Sequence, residues 1–511
     1  MTREHIFMLV AMALYMILVL AIGVLYARKS KTAGEFYLGG RGLSPLVTAM
    51  SAEASDMSSW LLMGLPGLAY LTGIADAGWT AIGLAVGTWV NWLIVAKRLR
   101  RYTVVAKNSI TIPDFFSNRF HDKNKVLMSI SAIVILVFFV PYTASGFAAC
   151  GRLFQSIFGL NYTAAMLISA LVIVLYTAIG GFLAESTTDT IQGFLMSGAL
   201  VAILIFGVVS AGGIGAVVEN AQSMPGFLSM IQTYNPASGA AEPYGALKIC
   251  SMIAWGLGYF GMPHVLLRFM AIRNPHELTL SRRIATVWVV ISLAAAVIIG
   301  VVGSAMLPGE FTTSAEAETI FIKIAEVMGS NGVVTALLAG LILAGILAAT
   351  MSTSDSQLLV ASSSVSQNFV KGLIYKKASD KTVMWISRVT VIVIAVIGAL
   401  IALDPNSSIF DIVSFAWAGF GAAFGPVILF SLFWKRTTLW GAFAGMLSGG
   451  VMVFVWKFLL NPLGGVWEIY ELLPSFLVAC AAILLVSLLG KKPSKEIEEE
   501  FELAASDRPV E

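Results

Sequence analysis

About thirteen stretches of some twenty apolar residues follow one another along this chain, and no other feature restricts its fold as much. They lie near residues 5–26, 43–70, 76–97, 126–156, 161–181, 189–212, 245–270, 282–306, 332–365, 383–403, 408–433, 439–460 and 473–490. An ordinary soluble domain carries about 25% charged residues. Here 12% of 511 residues are charged and 58% are hydrophobic, too few polar groups to cover a water-soluble globule. The expected architecture is an all-α integral membrane protein with about 13 transmembrane helices. The first run ends in the basic stretch ARKSK without a small-residue cleavage site, so it reads as a retained span rather than a signal peptide.

The basic residues test this division. Of the 32 lysines and arginines, 27 fall in alternate connections, beginning with Arg28, Lys29, Lys31 and Arg41 and ending with Lys491, Lys492, Lys495 and Arg508. Arg3, Arg152, Lys248, Lys323 and Lys457 fall on the other side. By the positive-inside rule the N-terminus is outside and the C-terminus cytoplasmic, in a multi-pass plasma (inner) membrane protein. The tail from 491 to 511 is polar and is expected to be a mobile cytoplasmic end.

Three segments carry polar residues at membrane depth. The second holds SAEASDMSSW, with Glu53 and Asp56 among four serines. The seventh reads AWGLGYFGMPH, and the ninth AATMSTSDSQ. Charge at the bilayer centre costs roughly 2.5–3.5 kcal/mol on insertion scales, so such residues face a cavity or a partner. Glycine and proline weaken a helix, and backbone freed inside a membrane must face protein or a water-filled site. The second and seventh segments are therefore expected to be broken helices. They are five segments apart, the spacing of a five-plus-five inverted repeat with its site at the breaks.

In the ninth segment Ala349, Ser352 and Thr353 share one helical face. A carbonyl and two hydroxyls there would offer neutral oxygens to a small hard cation. Alternatively, both hydroxyls bond back to their own helix. Glu53 and Asp56, three residues apart, also share a face. Two ionised acids at one dry site repel, so Glu53 is expected to be protonated, paired or turned aside by the break.

At YLGGRGLSP, SDMSSWLLMGLPG, FFVPYTASG, IGGFLA, TDTIQ, WGLGYFGMPH, MSTSDSQLLV and SFAWAGFGAAFGP the chain resembles the sodium/solute symporter family over nearly its whole length. The resemblance implies a LeuT-type core of ten helices over 43–433, one extra helix within 1–42 and two peripheral helices over 434–490. It implies a sodium ion as co-substrate, held by backbone oxygens of Ala54, Met57 and Ala349 and the hydroxyls of Ser352 and Thr353. It assigns ion coupling or passage to Asp56, Ser58, Arg41 and Asp189, and solute binding to Trp60, Tyr142, Trp255, Tyr259 and Pro263. Within the family the second-segment motif favours L-proline over sugars, sialic acid, pantothenate, iodide or monocarboxylates. Ser59, Glu53 and Met262 depart from the pattern of proline-carrying members. The aromatic side chains have an alternative reading as packing or interfacial anchors.

Other readings stay open at this level: a sodium or proton symporter for another small solute, or a membrane-embedded solute sensor. Enzyme chemistry is not expected. Cys150, Cys250 and Cys480 and the four histidines lack metal-ligand spacing. No HExxH, GxSxG or P-loop occurs at membrane depth, and GLGYFG lacks the strand–turn–helix context of a dinucleotide site. The expected surroundings are the lipid bilayer and a small solute. No feature points to nucleic acid or to an obligate protein partner.

Overall fold

The structure, a computed structural model, describes residues 2–27 and 32–506. Arg28, Lys29, Lys31 and Arg508, used above to orient the chain, lie outside the described residues. Among the described residues, ten helices are long and apolar enough to cross a membrane. An eleventh span is the pair Ala246–Phe260 and Pro263–Ala271, bent by 44°. The other two expected segments are also helical but differ from a regular span. Tyr162–Ala178 is short; Gly181, at φ 70°, turns the chain between it and the sixth segment in a conformation that glycine adopts without strain. The second segment is divided into Pro45–Ser59, a π-helical turn at Trp60–Gly64 and Leu65–Thr72.

Leucine, isoleucine and valine such as Leu14, Ile168, Val209 and Val287 are exposed on the outside of the bundle, as a surface that meets lipid requires. The polar segments lie inside it. Every residue from Thr48 to Ser59 is buried, as is every residue from Ile342 to Ser363. The ninth segment packs on the first, second, fourth and sixth, while the twelfth and thirteenth pack on each other and on the eleventh. The third and seventh cross at glycines: a Cβ at Gly87 would stand 2.4 Å from the Gly256 carbonyl oxygen. Such backbone approach is a recurrent means of joining membrane helices.

Two regions differ from expectation. An antiparallel hairpin, Gln232–Asn235 with Ala240–Pro243, stands in the loop before the seventh segment. Its turn is set by the Asn235 side chain, which accepts the Ala237 N–H at 2.9 Å. The tail is helical over Lys495–Ala505 and docked rather than free. Ser494 caps it, Ile497, Phe501 and Ala504 are buried, and the Phe501 ring lies 5.0 Å from the Arg98 guanidinium carbon and 5.4 Å from that of Arg119. Apolar residues at positions 497, 501 and 504 give one helical face, a pattern masked in the sequence by the surrounding glutamates.

Candidate functional site

The second segment starts as a regular helix, with Ser44 accepting the Val47 N–H and Pro45 at the first helical position. It breaks at Ser58, whose φ of 50° and ψ of −172° are rare for a residue with a side chain. The Ser58 hydroxyl accepts the Trp60 N–H at 3.1 Å. Serine and aspartate offer such local alternatives to the helix ladder, which is why SDMSS can break where no glycine stands. Strain of this kind persists where surrounding packing holds it, and it clusters at functional sites.

The ninth segment lies against this break. Ser352 Oγ donates to the Ala54 carbonyl at 2.8 Å and also lies 3.2 Å from the Ala349 carbonyl. The Thr353 hydroxyl is buried and has no hydrogen-bond partner among the described residues. The two readings of these hydroxyls thus divide: Ser352 reaches both its own helix and the facing one, and Thr353 makes neither bond. Ala54, Ala349 and Ser352 present oxygens at one point; Thr353 follows Ser352 in the helix, and the Met57 carbonyl, three residues beyond Ala54, accepts the Trp60 N–H. Two carbonyls and a hydroxyl with spare lone pairs are ligands for a hard monovalent cation.

On the other side of the break is a small cavity of about 10 Å³, lined by Asp56, Met57, Trp60, Tyr142, Trp255 and Trp417 among others. Trp60 stacks on Trp255 at 5.5 Å, and Phe410 stands 5.9 Å from Trp60 and 5.2 Å from Trp255. Trp417 donates its indole N–H to the Trp255 carbonyl at 2.7 Å. That approach depends on Gly258, where a Cβ would fall 1.9 Å from the Trp417 nitrogen. The volume holds about one water, so a solute enters only when the rings move. Phe410 is positioned by the connection before the ninth segment. Glu318 accepts its N–H at 2.9 Å and that of Ile409 at 3.0 Å, and pairs with Arg152 at 2.5 Å. Burial pushes the Glu318 carboxyl up, with Arg152 acting in the opposite direction.

The two acids of the second segment part company. Asp56 faces the seventh segment, where its Oδ2 accepts the Tyr259 hydroxyl at 2.7 Å, while its carbonyl accepts the Tyr142 hydroxyl at 3.2 Å. Glu53 faces the third, accepting the Trp92 indole N–H at 2.9 Å. Trp60, Tyr142 and Trp255 share the cavity; Tyr259 supports Asp56 rather than lining it. Pro263 lies apart, at the start of the helix Pro263–Ala271, beside Tyr37, Ile112 and Leu267. Arg41 is also remote. It bonds the Met270 carbonyl at 2.6 Å and the Ser109 carbonyl at 2.8 Å, tying the first connection to the seventh segment and to the connection that follows the third.

Asp189 belongs to a buried ionic cluster that sequence reading did not assemble. Its Oδ2 accepts from Ser51 at 2.7 Å and from Arg268 at 3.1 Å. Arg268 also bonds Glu185, Ser356 at 2.7 Å and the His264 carbonyl at 3.0 Å. Asp355 lies near these carboxylates, and Ser356 ties the cluster to the Ser352 carbonyl at 2.7 Å. Two acids, Glu185 and Asp189, thus share one guanidinium beside the candidate ion site, with Asp355 close by and held by the Ser356 N–H at 2.7 Å. The available signal was Arg268 inside the seventh apolar segment: one of the 27 basic residues assigned to alternate connections, it is fully buried.

Residues 36–449 match the family described as the sodium:solute symporter family. The chain is 43% identical over 500 residues to the sodium/proline symporter of Escherichia coli K12, covering 97% of this chain and 95% of that one. It is 44% identical over 506 residues to the sodium/proline symporter of Haemophilus influenzae, with 97% of each chain covered. In structure it resembles a sodium-coupled sialic acid symporter seen in a substrate-bound, outward-open state. The TM-score is 0.77 at 17% identity, covering 96% of this chain and 98% of the other. The all-helical LeuT-type fold expected from the motifs is therefore the fold observed. With breaks in its second and seventh segments, hydroxyls of the ninth facing the first break, and similarity running through nearly its whole length, this chain belongs to the sodium:solute symporter family.

Proposed function

We infer that this chain is a sodium-driven importer of L-proline in the bacterial cell membrane, working by alternating access. The observation that carries the reading is the 2.8 Å contact of Ser352 with the Ala54 carbonyl across the break, next to an aromatic cavity. Proline as the solute is supported by the sodium/proline symporters to which the chain is similar over almost its full length. Residues 43–433 form the transport core, 1–42 the helix before it, 434–490 two peripheral helices and 491–511 the tail. The N-terminus is outside and the C-terminus cytoplasmic, on the bias of 27 basic residues among 32.

Sodium takes as ligands the carbonyls of Ala54, Met57 and Ala349 and the hydroxyls of Ser352 and Thr353. The Ser352 proton turns away from Ala54 so that both oxygens face the ion. This holds the second segment against the ninth, fixes the turn that carries Asp56 and Trp60, and so shapes the solute cavity. Coupling of this kind is reciprocal: sodium raises solute affinity, and solute raises sodium affinity to the same extent. The membrane potential adds roughly 2.3 kcal/mol per charge per 100 mV to inward movement. Ring surfaces of Trp60 and Trp255 cover the apolar pyrrolidine. Ser58 holds the break. Asp189 and its cluster stand on the ion's way inward, and Arg41 closes the inner side.

The test is labelled L-proline uptake into proteoliposomes under an inward sodium gradient, with matched potassium and proton gradients as controls. Sodium-driven accumulation is expected. Accumulation driven by the proton gradient alone would remove sodium from the mechanism, and no proline uptake in active vesicles would move the solute elsewhere in the family.

A further inference from the structure

We propose that Asp56 is the anchor for the solute's ammonium group, so that the cavity selects a protonated amine by a carboxylate set among aromatic rings. This rests on the proposed reading of the chain as an amino-acid importer and names the residue that reads the amine. Asp56 is the acidic member of the cavity wall, whose other principal members are Met57, Trp60, Tyr142, Trp255 and Trp417. The carboxylate is buried, and its two oxygens differ. Oδ2 is held by the Tyr259 hydroxyl at 2.7 Å, whereas Oδ1 has no hydrogen-bond partner among the described residues. A buried charged acceptor without a partner is costly, and a ligand that supplies the donor recovers that cost.

The surroundings select the donor. A hard metal ion needs several oxygen ligands, and the wall beside Asp56 consists mainly of rings. Aromatic faces attract organic cations, and an ammonium can combine a carboxylate partner with those faces. The two cations would meet different helices: the Ala54 carbonyl meets Ser352 on the ninth segment, while the Asp56 side chain meets Tyr259 on the seventh. The Tyr142 hydroxyl is occupied by the Asp56 carbonyl and the Trp417 N–H by the Trp255 carbonyl. The Trp60 indole N–H is buried without a hydrogen-bond partner among the described residues, a spare donor for the solute's carboxylate. An ammonium drawn to Asp56 also pulls on the turn that carries Ala54 and Met57, which links solute and sodium through one short piece of backbone.

The test compares L-proline with tetrahydro-2-furoate, which keeps the ring and the carboxylate but has an ether oxygen in place of the ammonium. In the wild-type full-length protein the furoate is expected to compete with labelled proline roughly 100-fold more weakly or worse, because it leaves Asp56 unpaired. In Asp56→Asn, ligand-induced thermal shifts in detergent are expected to show proline weakened by a similar factor and the furoate unchanged or tighter. Competition by the furoate within threefold of proline in the wild type would overturn the proposal, as would an Asp56→Asn variant that weakens both ligands equally. The wild-type comparison decides the matter alone if the variant does not fold. Absence of sodium-driven proline uptake in the wild type would refute the proposed solute; uptake of proline with equal competition by the furoate would refute only the role of Asp56.

Discussion

Ser352 and Thr353 are neighbours with the same functional group, and the structure separates what their removal does. Ser352 bonds the Ala54 carbonyl at 2.8 Å and lies 3.2 Å from the Ala349 carbonyl. Thr353 keeps a buried hydroxyl with no hydrogen-bond partner among the described residues. Replacing Thr353 with alanine therefore removes no hydrogen bond from the ion-free protein and relieves an unsatisfied polar group, so its ion-free thermal stability is expected to match or exceed the wild type. Replacing Ser352 with alanine removes a cross-helix bond worth about 0.5–1.5 kcal/mol and leaves the Ala54 carbonyl unpaired. Toward sodium the two variants should behave alike. Each loses one oxygen ligand, and an interaction with a charged group is worth about 1.5–3 kcal/mol. That corresponds to a roughly 10- to 150-fold rise in the sodium concentration for half-maximal effect. The assay is a sodium titration of thermal unfolding in detergent, against potassium at constant ionic strength, with sodium activation of proline uptake in parallel. A Thr353→Ala midpoint within threefold of wild type would refute the ligand assignment. An ion-free Thr353→Ala protein as destabilised as Ser352→Ala would refute the separation of the two hydroxyls.

Further expectations concern the groups around this site. Tyr259→Phe leaves Asp56 Oδ2 unpaired, which costs about 1–3 kcal/mol, and should lower kcat/KM for proline uptake by tenfold or more with normal abundance in the membrane; an unchanged kcat/KM would remove Tyr259 from the site. Gly258→Ala places a methyl group 1.9 Å from the Trp417 nitrogen, so it should abolish proline uptake while the protein still inserts, as checked by membrane fractionation. Arg268→Gln leaves Glu185 and Asp189 without their shared guanidinium. Breaking a buried pair typically costs about 3–5 kcal/mol, so unfolding in detergent should shift strongly downward, and adding Glu185→Gln should recover part of the loss. Phe501→Ala removes the aromatic group packed between Arg98 and Arg119 and should undock Lys495–Ala505, which limited trypsin digestion at Lys495 would report.

The sequence by itself determined the membrane class, the succession of segments, the two breaks and the hydroxyls opposite one of them. Each rests on physics local to a short stretch: apolar length against bilayer thickness, glycine and proline against helix continuity, and charge against a low dielectric. Asp56 was legible for that reason, since an acid inside an apolar run has few structural explanations. Tertiary structure decided the partnerships. Glu53 and Asp56 share one helical face in sequence, yet one meets Trp92 on the third segment and the other Tyr259 on the seventh. Arg268 reads as a loop charge until Glu185 and Asp189 of another helix close on it, and the tail reads as solvent-exposed until Phe501 finds two arginines. Pro263 stands within a few residues of Tyr259 but lies outside the aromatic cavity because the seventh helix bends by 44° between its two halves. Periodicity fixes which side chains share a face; which helix lies opposite depends on how distant segments pack, and no short stretch of sequence carries that information.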